Sequence, residues 1–531
     1  MDYNKIPVFP FKGIKRITIP KTDADFTSDK GYGWEIIKKY LSTILATHKD
    51  NEQKIDYLYN YFLGIQDIRA KNRSHDINKD NNNKEVENHA NRQVEFKVGF
   101  LCGETRDYTH KSDSESDDLK ILDHYFTDCK FFSKDADLKE WIYTTGIGVT
   151  KTTIRKDIFI TEQDEMMPDR RATRVKTIEE GYNIEYEAPF KFDLKDPRHN
   201  FVVYSSADGE EPLFDVCYVD VDVSGADEQP LVQKQLLVET RYCIFKFNAD
   251  SQFNTFYWDD DKVEKTPKTL HYLPLIEYSV NKDRIGIVEK NRSSFNTINL
   301  FRSSVNDMIV DNANAILVFK NVEINSEEVK EMRKAGAIII SDSQNARQGG
   351  IASLDTVTVE IPLDKMTTYL DQVMQNAYDI VGVPLASGQV TSGGDTGQAR
   401  LLGGGWNNAY IIIHKEIMKL LEFDYEQLKL FLMLCKQISG CPLDELYASQ
   451  VDIHYRVNQN DNLQVKAQSM KYLYDMGMPL EFILKVGGLS NDIKTDSKNW
   501  QANIDKIRAN QAEEATVVNN TTDQSVNNSQ E

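Results

Sequence analysis

One glycine-rich stretch, Gly393-Gly394-Asp395-Thr396-Gly397, has the composition of a phosphate-binding loop. Consecutive backbone N–H groups ahead of a helix can bind a phosphate. However, the stretch lacks a GxxxxGKS or GxxxxGKT signature, and no predicted strand leads into it. Its pattern therefore favours a flexible loop over a nucleotide site.

Other arrangements that could support catalysis or metal binding are weak. Acidic residues cluster at 113–118, at Asp220 with Asp222, and at 259–261, but in polar contexts where a solvated face or a weak divalent-ion site fits better than acid–base work. The nine histidines form no HExxH, HxH or Cys–His zinc pattern, and no GxSxG nucleophile motif occurs. The motifs predict a protein that is not an enzyme and that needs no cofactor or metal.

Composition limits further which class of protein this chain can belong to. The 531 residues are 40% hydrophobic and 27% charged, which are ordinary globular values, and the length predicts about three or four structural units. Lys and Arg number 63 against 83 Asp and Glu, and the net charge of -20 has the wrong sign for tight phosphate binding. The six cysteines form no CxxC pair, and no signal or 18-residue apolar window is present, so we expect reduced thiols in a soluble, unsecreted protein.

The first half of the chain predicts helices followed by a β region. Apolar spacing indicates one or two helices over 34–64 and further helices over 86–101, 119–132 and 136–148, with a polar loop at 71–84. From 149 to 280 the chain alternates short β-branched and aromatic runs, which predict antiparallel strands.

The second half is organised around long helices. A helix over 293–314 has one apolar face, formed by Ile298, Phe301, Val305, Met308 and Ile309. Strands over 316–319, 337–340 and 357–361 and a helix over 326–334 form a small unit. An amphipathic helix over 363–381 ends at Gly382 and Pro384, and a loop over 384–397 leads to a helix over 398–437, interrupted by three glycines at 403–405. A strand over 451–457 and helices within 463–509 follow.

Several stretches in this order resemble a known family. They are Leu273-Pro-Leu-Ile-Glu-Tyr278 followed by Asn281, Arg284, Gly286 and Glu289; residues 296–321; Gly382-Val-Pro384 with Gly394-Asp-Thr-Gly397 and Gly404-Gly-Trp406; residues 88–103; and residues 459–490. Over about residues 35–505 the chain resembles the portal proteins of tailed double-stranded DNA bacteriophages, in the branch from phages of Gram-positive hosts.

The resemblance implies an α+β, mainly α, portal fold that assembles as a ring. It implies a wing over 1–290 with a helical part and then a β-rich part, a first stem helix over 291–314, an α/β clip over 315–362, a second stem helix over 363–383, a tunnel loop over 384–397, a long bent helix returning to the wing over 398–457, a helical crown over 458–510 and a disordered tail over 511–531.

The same resemblance implies a function and its partners. Twelve subunits would form the channel at one capsid vertex of the virion, assembled in the host cytoplasm, through which double-stranded DNA is packaged and later ejected without sequence specificity. The clip would dock the large terminase subunit and then the head–tail adaptor, and the wing would meet scaffold and major capsid protein, with no membrane involved. The implied clip residues are Glu327, Glu328, Lys330, Arg333 and Lys334. The implied DNA-facing loop residues are Ser387, Gln389, Thr391, Ser392, Gly393, Gly394, Asp395 and Thr396.

Elementary physics agrees with a channel. Helices of about 20 residues reach roughly 30 Å, long enough to wall one. A passage for moving DNA should carry few cations, and the loop over 384–397 has no Lys or Arg. Three alternatives stay open: a nucleotide-binding enzyme using residues 393–397, a capsid or scaffold protein without a channel, and an ordinary surface loop at 384–397.

Overall fold

The computed structural model describes residues 12–71, 82–111, 117–155, 159–162, 174–178, 183–223, 232–259, 262–313, 316–320, 327, 331, 353–357, 363–385, 406–438, 440–457, 463–487 and 496–506. Within these residues the fold is α+β and rich in helix, as the sequence predicts. In the described part of the chain, no helix combines the length and apolar character that crossing a bilayer requires.

Nine helices are described with defined bounds. They are α1 Trp34–Phe62, α2 His89–Cys102, α3 Asp118–Asp128, α4 Phe131–Thr145, α5 Ile287–Ala313, α6 Leu363–Val381, α7 Trp406–Cys435, α8 Leu463–Asp475 and α9 Leu480–Gly487. Residues 496–506 are also helical. The predicted helix over 363–381 has these bounds because its apolar stripe is clear and Gly382 ends it in the left-handed region.

Three predicted helix boundaries are wrong, and each has a local cause. Lys130 takes a left-handed conformation that separates α3 from α4, although nothing in the sequence marks it. Gly146, with φ of 101°, ends α4, so Gly148 already lies in a strand. Helix α5 begins at Ile287 instead of residue 293, because the side chain of Asn281 closes a turn against Ile285 just ahead of it.

The described strands are β1 Ile17–Ile19, β2 Asp107–His110, β3 Gly148–Ile154, β4 Phe159–Glu162, β5 Arg174–Ile178, β6 Phe190–Lys195, β7 Asn200–Ser205, β8 Pro212–Asp222, β9 Val232–Thr240, β10 Cys243–Asp250, β11 Phe256–Tyr257, β12 Glu264–Pro267, β13 Leu275–Tyr278, β14 Ile316–Lys320, β15 Ser353–Val357 and β16 Val451–His454.

The largest sheet has seven strands, six of which lie in the predicted β region. Its order is β1-β7-β8-β9-β10-β11, with β12 also paired to β10. Strand β1 runs parallel to β7, and the other pairs are antiparallel. A second sheet has the order β13-β3-β6, and β2–β16, β4–β5 and β14–β15 form two-stranded pairs.

Three hydrophobic cores hold these layers together. The first packs α1 on the large sheet, where the Trp34 ring stacks on Phe245 with centroids 4.8 Å apart. The second packs the C-terminal half of α7 against α3 and β6, with Phe431 stacked on Phe190 at 4.3 Å. The third joins α2, α4, α5, α6 and α7. We call the structure built around these cores, without α6 and without α5 beyond Ile298, the body.

The small unit after α5 is described only in part. Strand β14 confirms the prediction for 316–319, and Ile316 pairs with Val357. The strand that pairs with β14 is Ser353–Val357, which begins four residues before the predicted start at Val357. The rest of the strand predicted over 357–361 lies outside the described residues. The predicted strand over 337–340 lies outside the described residues, as does most of the predicted helix over 326–334, of which Glu327 and Glu331 are helical.

Two later elements are shorter in the described residues than the sequence predicts. Strand β16 ends at His454, three residues before the predicted end. Helix α7 covers 406–435 of the helix predicted over 398–437, whose first eight residues lie outside the described residues, as does the tail over 511–531. Helices α8 and α9 confirm helical structure within 463–509.

Candidate functional site around the glycine-rich loop

The predicted loop side chains, from Ser387 to Thr396, lie outside the described residues. Of the predicted clip residues, Glu327 is helical and exposed, and Glu328, Lys330, Arg333 and Lys334 lie outside them too. What the structure describes is how the residues that flank the loop are held. Helix α6 leads into the loop, and α7 begins after it at Trp406.

The end of α6 is joined directly to the first turns of α7. Gly382, with φ of 64°, turns the chain, and Val383 N–H donates to the Tyr378 carbonyl at 3.0 Å. The Asn408 side-chain amide donates to the Asp379 carbonyl at 2.9 Å and so caps α6. A Cβ atom on Gly382 would lie 2.7 Å from Ile412 Cδ1, which shows how closely the two segments approach.

The start of α7 is fixed on α2 by aromatic packing. The Trp406 ring lies 5.9 Å from the Phe96 ring and 6.0 Å from the Phe100 ring, between centroids. One turn later Tyr410 packs on the same Phe100 at 5.5 Å. Such contacts place large apolar areas in a defined geometry. Both ends of the glycine-rich stretch are therefore held in place, because the end of α6 packs on α7 and the start of α7 packs on α2.

Buried amides tie α6 to α2 and α5. The Ala377 carbonyl accepts from Asn291 Nδ2 at 2.6 Å and from Gln93 Nε2 at 3.3 Å, and Asn291 Nδ2 also donates to Gln93 Oε1 at 2.8 Å. Asn291 and Gln93 are both fully buried. Beside them, the Tyr378 hydroxyl is hydrogen-bonded to His89 Nδ1 at 2.9 Å. Because unsatisfied buried amides are costly, this arrangement fixes the position of α6.

The motif residues at the start of α5 and just before it fix its first turn on the body. Arg284 takes a left-handed conformation and pairs with the carboxylate of Glu277. Glu289 pairs with Lys54 of α1 at 2.5 Å, with both side chains at least nine-tenths buried. A Cβ atom on Gly286 would lie 2.5 Å from the Thr144 carbonyl oxygen, so only glycine fits this approach. These residues are therefore structural anchors of α5.

Sequence reasoning missed the buried ion pairs of α7. Arg106 contacts Asp424 at 2.7 Å and Asp135 at 2.9 Å, and the Tyr455 hydroxyl donates to Asp424. Burial works against the guanidinium charge, but the two carboxylates outweigh it and raise the pKa of Arg106 well above its ordinary value. Charged residues on helices ordinarily indicate solvated faces, so no single-sequence signal could identify this cluster.

The outward faces of α5 and α6 differ from this packed body. On α6 the exposed residues include Asp364, Thr367, Thr368, Asp371, Gln375 and Asp379. On α5 the predicted apolar face divides: Ile298 is buried, whereas Met308 and Ile309 are 42% and 50% exposed. Contiguous exposed apolar side chains in a soluble protein mark an interaction surface.

Residues 41–399 of the chain match the family described as phage portal protein, SPP1 Gp6-like. The match covers about two thirds of the chain and runs from α1 into the glycine-rich loop. The chain belongs to the phage portal protein family. No curated protein matches it. Membership implies a structural, non-enzymatic component of the virion capsid that forms a homo-oligomeric ring and works with packaging partners.

Where the structure describes them, the remaining chemical candidates of the portal protein do not assemble into a site. Asp220 pairs with Lys234 at 2.6 Å, and Asp259 pairs with Lys262 at 3.1 Å. Throughout the described ranges, no three His, Cys, Asp or Glu side chains are arranged to hold a metal ion. All six cysteines are free thiols, and Cys102 and Cys217 are half-buried rather than buried.

Proposed function

We propose that this portal protein forms the channel at one capsid vertex through which double-stranded DNA is packaged and later ejected. The observation that carries the proposal is the anchoring of both residues that flank the glycine-rich loop. Gly382 lies against α7, and Trp406 lies on α2, so the segment of small residues between them is held at both of its ends. A loop held in this way can contact moving DNA while its supports stay in place.

Charge supports the same role. The exposed face of α6 carries Asp364, Asp371 and Asp379 against Lys365, and the loop over 384–397 contains no Lys or Arg. Fixed cations would bind phosphates and slow a passing duplex, whereas acidic and small polar groups would not. The channel wall would be formed by α5 and α6, and residues 387–396 would face the DNA.

The proposed roles of the individual segments follow from the resemblance. Residues 1–290 and part of 398–457 would form the wing, 291–314 and 363–383 the stem, 315–362 the clip, 384–397 the tunnel loop and 458–510 the crown. Twelve such subunits would close the ring in the virion after assembly in the host cytoplasm. Glu327, Glu328, Lys330, Arg333 and Lys334 would dock the terminase and then the adaptor, and scaffold and major capsid protein would meet the wing.

The test begins with the purified protein. Light scattering with negative-stain electron microscopy should show closed rings of about twelve subunits with a central hole. Deletion of residues 392–395 should leave these rings intact and abolish DNA packaging, because it shortens the loop without touching its supports. Deletion of four residues from the tail over 511–531 is the matched control and should leave packaging unchanged.

Each alternative predicts a different outcome. A monomer at high concentration without scaffold would contradict the ring, and thermal stabilisation by ATP would favour a nucleotide site at 393–397. Normal packaging by the loop deletion would contradict the role of the loop and favour a capsid or scaffold protein without a channel.

A further inference from the structure

A short extended segment, residues 83–87, lies along α5 and is bound to it through its backbone. The Glu87 N–H donates to Asn299 Oδ1 at 2.9 Å, and the Glu85 N–H donates to Ser303 Oγ at 2.9 Å. The Asn83 N–H donates to Asp307 Oδ1 at 3.1 Å. Alternate residues of the segment therefore meet every fourth residue of the helix. We call residues 83–87 the strap.

The spacing explains why these residue types recur at this interval. Two residues of an extended chain advance about 6.6 Å, and four residues of an α-helix advance about 6 Å. An extended strand laid antiparallel on a helix therefore stays in register for several steps if every fourth helical residue offers a short acceptor. Asn299, Ser303 and Asp307 supply these acceptors, and all three are buried.

The strap is also joined to the rest of the body. Glu87 pairs with Arg302 of α5 and with His89 at 2.9 Å, and His89 reaches Tyr378 of α6. Asn299 Nδ2 donates to Gln66 Oε1 at 2.5 Å, which connects α5 to the residues that follow α1. The strap thus lies where α5, α6 and the body meet.

The two halves of α5 are fastened mainly by different chemistry, although Phe301 of the second half is half-buried against the largest core. Before residue 299 the helix buries Val288, Phe295 and Ile298 in the largest core, and Glu289 is paired with Lys54. From 299 to 310, the buried residues of α5 are the three strap acceptors. Hydrogen bonds of this kind contribute little net stability, because water replaces them when they open. The apolar packing of α5 before residue 299 is therefore firm, whereas the hydrogen bonds between the strap and residues 299–307 can open.

We propose that the strap is a releasable fastener that holds the distal half of α5, residues 299–310, to the body. When its bonds open, this half gains freedom to move while residues 287–298 stay fixed. The proposal rests on the contacts of the strap and requires neither DNA nor a packaging partner, so it stands or fails separately from the proposed channel.

Hydrogen–deuterium exchange on the full-length assembled protein tests the strap. Glu85→Pro removes the N–H that binds Ser303, whereas Glu85→Ala keeps that N–H and removes only an exposed side chain. We expect the proline variant to speed amide exchange about tenfold over 299–310, with 287–298 unchanged. The alanine variant should match the wild type. Equal acceleration in both halves of α5, or equal behaviour of the two variants, would overturn the proposal.

A second pair of variants covers the case in which the proline variant fails to fold. Ser303→Ala removes the acceptor of the strap, together with a hydroxyl bond to the Asn299 carbonyl at 2.7 Å. Thr297→Ala removes the same kind of bond within the helix, to the Ser293 carbonyl at 3.0 Å, from a half-buried position. Faster exchange over residues 299–310 and at the Glu85 amide in the serine variant alone supports the strap. The same acceleration in both variants would show loss of helix stability instead.

Discussion

The body and the paired helices, α6 with the distal half of α5, are built in different ways. The body buries aromatic clusters and paired charges, with Phe431 stacked on Phe190 and Arg106 enclosed by two aspartates. The paired helices expose apolar side chains such as Ile309 and Ile380, each at least half exposed. The difference indicates that a single subunit gains its stability from the body, and it leads us to propose that neighbouring copies cover the exposed face of the paired helices.

Removal of a buried charge should give the largest effect. Arg106→Met removes the shared partner of Asp135 and Asp424. Asp135 keeps its pair with Lys139, but Asp424 loses its cationic partner, and breaking a buried ion pair in this way costs about 3–5 kcal/mol. The matched control is Arg456→Met, which breaks an exposed pair with Asp107 and should cost below about 1 kcal/mol. Urea unfolding measures both, and equal losses would show that the Arg106 cluster does not stabilise the body.

Acid should also weaken the body, through His48. This ring stacks on Phe201, donates from Nε2 to the Arg198 carbonyl, and is buried. Burial lowers the pKa of His48 from 6.5 to about 4. Between these values the unfolded chain binds a proton that the folded chain does not, so stability is retained above pH 6.5 and lost as pH falls toward 4.

The size of this effect can be measured at two pH values. At pH 5 the contribution of His48 to the loss is about 2 kcal/mol relative to pH 7. His48→Gln cannot titrate, so its unfolding free energy should fall by that much less between pH 7 and pH 5, even if the variant is less stable at both. Equal pH dependence of the two proteins would mean that His48 is not a buried neutral group.

The junction between body and paired helices should be sensitive to one added methyl group. Gly382→Ala combines left-handed strain with a Cβ atom 2.7 Å from Ile412 Cδ1. Gly440 has a similar positive φ and nothing within 4 Å of an added Cβ, so Gly440→Ala measures the strain alone. We expect about 1 kcal/mol for Gly440→Ala and about 1 kcal/mol more for Gly382→Ala. Equal costs in thermal unfolding would mean that α7 yields easily at Ile412.

Patterns that depend on neighbouring residues along the chain could be predicted from the sequence. Helix α6 has its predicted bounds because its apolar residues repeat at helical spacing and Gly382 follows them. The strand runs of β7, β8 and β10 fall within the predicted β region for the same reason. The family resemblance, which rests on short motifs, is confirmed by the match over residues 41–399.

Features that depend on contacts between distant residues could not be predicted. Asn299, Ser303 and Asp307 have the spacing of a polar helix face, which ordinarily indicates solvent, yet they are buried under a strap more than 200 residues away. The start of strand β15 at Ser353, four residues before the predicted start, depends on its pairing with β14. The roles of the loop and clip side chains stay predictions.

The smallest effect on subunit stability is expected for a substitution on the exposed face of α5. Such a substitution distinguishes the folding of a subunit from the assembly of the ring. Ile309 is 50% exposed, so Ile309→Ser should change the unfolding free energy of a subunit by less than about 0.5 kcal/mol. If this face is completed by a neighbouring copy, the same substitution removes apolar area from each contact in the ring and should raise the concentration needed for assembly severalfold. Ile65→Ser, at an isoleucine of the body that is 38% exposed, is the control and should leave assembly unchanged. Light scattering over a dilution series compares the two. If the Ile309 variant assembles normally, the subunit contacts lie on the body, and the exposed face of α5 is not the surface that holds the ring together.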